Sequence, residues 1–81
     1  MAIGPTKNFG KDLVELLLKK NMLLKLRIEV HQTSVEFRIE NSNGRVYIST
    51  YITRKEWDAI NMHPQTHSHY LPIIAEELQL L

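Results

Sequence analysis

Between residues 24 and 52, apolar side chains return at every second position in three successive runs, the period of a strand that buries one face and wets the other. In the first run Leu24, Leu26, Ile28 and Val30 point one way and Lys25, Arg27, Glu29 and His31 the other. The second sets Val35, Phe37 and Ile39 against Glu36, Arg38 and Glu40. The third, about Arg45 to Ile52, sets Val46, Ile48 and Ile52 against Tyr47 and Tyr51. Alternation with one solvated face marks an antiparallel sheet.

Turn chemistry and charge set the expected registers. Asn41-Ser42-Asn43-Gly44 is a hairpin signal, because Asn-Gly tolerates the positive φ angles of a type I′ turn. A two-residue turn at Asn43 and Gly44 places Ile39 opposite Ile48 and Phe37 opposite Thr50. The first connection, Gln32-Thr33-Ser34, lacks a decisive turn residue, and a tight turn there sets Arg27 against Arg38 and Glu29 against Glu36. Like charges directly across a ladder are unfavourable. Sliding by two residues pairs Arg27 with Glu40 and Glu29 with Arg38, brings Val30 to Phe37 and Ile28 to Ile39, and leaves Val35 in or beside the loop; this is the expected register.

The covered face of the sheet needs helices. One is expected from about Asn8 to Lys20, with Asn8 or Thr6 capping its first turn and Asn21 suiting its exit. Phe9, Leu13, Leu16 and Leu17 share a face that Val14 and Leu18 widen to an arc of about 200° at 100° per residue. One sheet cannot cover that arc, so either the C-terminal helix packs alongside or Val14 and Leu18 meet another subunit. Thr53-Arg54-Lys55-Glu56 fits a capping box and starts a short helix to about Met62, packed down by Trp57 and Ile60. Pro64 is expected to stop it, residues 63–69 to form a polar loop, and Pro72 to sit in the first turn of a last helix whose Leu71, Ile74, Ala75, Leu78 and Leu81 share one face. The expected fold is a single α+β domain over residues 1–81, made of an N-terminal helix, a three-stranded antiparallel meander, a short helix and a C-terminal helix packed on one sheet face.

At 81 residues the core of such a domain is worth only about 3–5 kcal/mol, so a homodimer is expected. Zero cysteines exclude disulfide staples and thiolate metal sites and suit a reducing cytoplasm. No apolar run approaches the roughly 20 residues of a membrane span, and Met1 to Pro5 lacks the pattern of a signal peptide, so no membrane partner is expected.

Chemistry-bearing patterns are sparse. His63, His67 and His69 are the one grouping with ligand chemistry, but Pro64 interrupts a helix through them and no neighbouring carboxylate completes a set, so no metal or other cofactor is expected. Ser34, Ser42, Ser49 and Ser68 have no context of a nucleophile elbow, and Gly4, Gly10 and Gly44 are too scattered for a phosphate loop; no catalytic residues are assigned. Glu29, Glu36 and Glu40 are explained by pairing with Arg27 and Arg38 on the wet face.

Two surfaces remain. Tyr47 and Tyr51 on the outer side of the third strand, with Arg38 and Arg45 beside them, are the residue types that recur in protein contacts. The net charge of +1 is uneven: residues 1–27 hold six cations, Lys7, Lys11, Lys19, Lys20, Lys25 and Arg27, against Asp12 and Glu15. A nucleic-acid alternative would use Lys7, Lys11, Lys19, Lys20 and Arg27. The element order is also similar, in topology alone, to that of the double-stranded RNA-binding domain. That family's last helix opens with a run of lysines, whereas here only Arg54 and Lys55 stand near such a position and the final helix carries Glu76 and Glu77. The function expected is a small non-enzymatic protein-binding module, an accessory or inhibitor protein such as mobile elements encode, working by occlusion or scaffolding.

Overall fold

The computed structural model describes residues 8–20 and 23–81, which form α1 (Phe9–Lys20), β1 (Lys25–Val30), β2 (Ser34–Glu40), β3 (Val46–Thr53), α2 (Arg54–Met62) and α3 (Pro64–Glu77). The roles expected of Thr6, Lys7 and Asn21 lie outside the described residues. The strands form one antiparallel meander in the order β1-β2-β3, with β2 central, and the helices pack on one of its faces. This is the α+β architecture expected.

Local signals start α1 and α2 as anticipated. Asn8 Oδ1 accepts from Lys11 N at 3.0 Å, capping α1. Thr53 and Glu56 complete a reciprocal capping box at α2. α1 buries Phe9, Leu13 and Leu17 against β1 and α3, and comes so close to the sheet that a Cβ on Gly10 would stand 3.0 Å from Ile28 Cδ1. Because α3 lies alongside α1, Val14 is half-buried, while Leu18 stays 49% exposed.

The first hairpin adopts the register that charge argued against. Arg27 faces Arg38, Glu29 faces Glu36, Ile28 faces Phe37 and Val30 faces Val35, which is in the strand and buried, not beside the loop. The Gln32-Thr33 turn is closed by His31 N–H donating to Ser34 O at 2.8 Å. It is also held from outside, since Arg54 N donates to Thr33 O and Arg54 Nη1 to His31 O, both at 3.0 Å. The like-charge penalty is offset because an arginine side chain reaches its diagonal and same-strand neighbours as easily as the residue opposite.

At the second hairpin, Ile39 faces Ile48 and Phe37 faces Thr50 as expected, but the turn differs. Asn41 N donates to Arg45 O and Gly44 N to Asn41 O, both at 3.0 Å, and of the loop residues only Gly44 takes a positive φ, 80°. This is a three-residue loop, not a type I′ turn, and its mismatch is absorbed by a bulge: Glu40 faces Val46 while Ile39 faces Ile48. The extra residue is Tyr47. The bulge also turns Val46, expected in the core, out to 45% exposure.

The largest departure is α3, which begins at Pro64 and runs through Pro72, so residues 63–69 are no loop. Pro64 sits at the first helical position, where its missing N–H costs nothing, and His63 serves as the end of α2 and the start of α3. Interior Pro72 removes one helical hydrogen bond, yet burial of His67 before it and of Ile74 and Ala75 after it keeps the helix continuous. His67, expected to face water, is only 5% exposed and its Nε2 lies 2.9 Å from Asp12 Oδ2 on α1. Beyond α3, Leu80 N donates to Ala75 O and Gln79 N to Glu76 O, a Schellman closure that forces Gln79 to φ 60°.

Asp12→Ala should destabilise by about 1–3 kcal/mol in urea unfolding, because it strips the partner from a buried ring nitrogen. Asp12→Asn, which keeps an acceptor, should cost less; an unchanged midpoint for Asp12→Ala would remove the pair as a support. Gln79→Gly should raise stability by a few tenths to about 1 kcal/mol, the relief of left-handed backbone less the extra freedom of glycine when unfolded. Gly44→Ala should lower it by about 1 kcal/mol, through backbone alone, since no atom lies within 4 Å of the added Cβ.

Candidate protein-binding surface

Alternation along β2 sends Val35, Phe37 and Ile39 into the core and Glu36, Arg38 and Glu40 to the opposite, helix-free face. Arg38 is the centre of that face. Its Nη2 donates to Glu29 Oε1 at 3.0 Å and its Nη1 to Glu40 Oε2 at 3.4 Å. Its buried Nε stands 3.2 Å from Glu36 Oε2 but is not aligned for a hydrogen bond. Arg27 Nε donates to the other oxygen of Glu29 at 2.9 Å. Partial burial alone would raise the pKa of Glu29, but Arg38 and Arg27 together outweigh it and hold the carboxyl below the ordinary 4.5.

Tyr51 lies over this network. It faces Glu36 across the ladder, donates its hydroxyl to Glu36 Oε2 at 3.0 Å, and remains 60% exposed. That hydrogen bond to a carboxylate raises the pKa of the phenol. Tyr47 is 67% exposed at the bulge, where it walls a cavity of about 300 Å³ with Leu17, Leu24, Ile39 and Leu80, residues of the helix-covered side, so the bulge takes it off the outer face on which alternation alone places it with Tyr51. Arg45 is exposed at the adjoining turn. Arg38, by contrast, is committed to three carboxylates and acts as the support of the surface, not as a free contact.

The cations of the nucleic-acid alternative are divided. Lys11, Lys19 and Lys20 are exposed on α1, on the helix side of the sheet, with Glu15 one turn from both Lys11 and Lys19. Arg27 belongs to the opposite face and is paired with Glu29. Trp57 and Ile60 hold α2 down as expected, Trp57 lying 6.2 Å from Phe9 and 5.8 Å from Phe37 between ring centroids. His63 and His69 are exposed near the start of α3. The Asp12–His67 pair and the Tyr51–Glu36 hydrogen bond had no signature in the sequence: the first joins residues far apart in the chain, and the second depends on register. Among the described residues no helix is long and apolar enough to cross a membrane. No protein-family model, curated protein or solved structure matches the chain.

A folded carboxyl with lowered pKa stabilises fully above its unfolded value and loses that contribution as pH falls through the folded one. Arg38→Gln deprives Glu29 of the cation that chiefly lowers its pKa, so the stability deficit should be largest near neutrality and shrink below about pH 4.5, as Glu29 protonates. Urea midpoints of both proteins across that range check this; a deficit independent of pH would mean that Arg38 supports the sheet by packing alone.

Proposed function

We propose that this domain is a non-enzymatic protein-binding module, an accessory or inhibitor protein that occludes or scaffolds a partner through the outer face and β3 edge of its sheet. The observation that carries the reading is the exposure of Tyr47 and Tyr51 on one edge strand, at 67% and 60%, beside Arg45 and the exposed Val46. Tyrosine offers large contact area for two rotatable angles, and the hydrogen bond to Glu36 already holds the ring of Tyr51 in place, so little freedom is left to lose on docking. The outer edge of β3 adds backbone groups that a partner strand can pair. Leu18, exposed on the flank of α1, is assigned to self-association as a homodimer, whereas Val14 is half-buried within the chain where α3 lies alongside.

The test is affinity capture on the immobilised chain from its native cells, read by mass spectrometry with and without nuclease. A captured protein should persist through nuclease and through Lys11→Glu with Lys19→Glu. With Tyr51→Ala it should bind more weakly by on the order of 2 kcal/mol, about thirtyfold. Tyr51 is exposed, so the variant should fold normally. Retention that survives Tyr51→Ala but is abolished by nuclease or by the lysine changes would replace this reading with the nucleic-acid one.

A further inference from the structure

Glu29 and Glu36 face each other directly across β1 and β2, and His31 follows the end of β1, two residues beyond Glu29. One donor atom from each of these side chains lies within 4.8 Å of the other two, and His31 Nε2 is 3.7 Å from Glu29 Oε1. Direct cross-strand neighbours stand about 5 Å apart at Cβ and residues two apart on a strand about 6.5 Å, a triangle that three ligands of one small cation can close by side-chain rotation. We propose that Glu29, His31 and Glu36 form a binding site for a divalent transition-metal ion, zinc being the ion suited to one imidazole and two carboxylates.

The groups around the triangle fit that role. Arg38 and Arg27 donate to the two oxygens of Glu29, and Tyr51 donates to Oε2 of Glu36. Each carboxylate oxygen carries two lone pairs, so these bonds leave lone pairs for an ion while fixing the carboxylates in orientation, as outer-shell donors do around metal ligands. Glu29 and Glu36 are half-buried and directly opposed, and Arg38 reaches both, its Nη2 3.0 Å from Glu29 Oε1 and its Nε 3.2 Å from Glu36 Oε2, so their charge is already balanced and an ion would have to be held by the free lone pairs and His31. His31 is exposed, which leaves the ion an open approach and its remaining positions to water. The site uses none of the histidines 63, 67 and 69 that the sequence brings together, and it stands whether or not the tyrosine surface binds a protein.

Thermal unfolding of the full chain with zinc chloride alone tests the site. The midpoint should rise with zinc concentration, because a ligand of the folded state stabilises by mass action. His31→Ala removes an exposed ligand without touching Arg38 and should weaken the apparent affinity by about tenfold or more, and Glu36→Gln should do the same. A chain with both His63→Ala and His69→Ala should keep the full response. The proposal is overturned by an absent rise in the unmodified chain, by a rise in His31→Ala at the same zinc concentrations as in the unmodified chain, or by one that disappears with the changes at 63 and 69.

Discussion

Phe9 is the side chain on which the layers converge. Its ring lies 5.9 Å from Phe37 on β2, 6.2 Å from Trp57 on α2 and 5.3 Å from His67 on α3, between centroids. Edge-to-face contacts of this kind add to the roughly 1.5–3 kcal/mol that burying such a ring contributes. α1 needs that anchorage, since an isolated helix of its 12 residues is marginal in water. From the same turn, Asp12 reaches His67, so one end of α1 is tied to α3 by a ring contact and a hydrogen bond together.

The outer face inherits its order from that junction. Phe37 is locked among Phe9 and Trp57, and its neighbours Glu36 and Arg38 must therefore stand at set positions on the other side of β2. The Arg38 network is partly buried, and beyond its charge balance it fixes geometry. It presents Tyr51 and the Glu29, His31 and Glu36 side chains in one arrangement. At the other edge of the helical layer, Tyr70 donates to Glu56 at 2.5 Å, joining α3 to the capping box of α2. That hydrogen bond, with the amide of Thr53, holds the Glu56 carboxyl below its usual pKa.

Much of this was legible before any coordinates. The three strands, the faces of Phe37 and Ile39, the caps at Asn8 and Thr53 and the exposure of Tyr51 follow from patterns spanning a few residues. Pro64 and Pro72 read locally as a stop and a start, but the rule for the first helical turn belongs to Pro64, and packing carries the helix past Pro72. Direct opposition of like charges does not decide the register, because Arg38 settles its balance along the diagonal to Glu29 and along its own strand to Glu36 and Glu40.

Period, parity and capping were determined by the sequence itself, because each depends on neighbours within about four positions of one another. Register, the bulge at Tyr47, the burial of His67 and the meeting of Glu29, His31 and Glu36 were decided only by tertiary structure. A slide of two residues leaves every side chain on its original face, so alternation cannot distinguish the two pairings of β1 with β2. The choice between them was made by contacts from outside the hairpin, with Arg54 gripping the turn at His31 and Thr33.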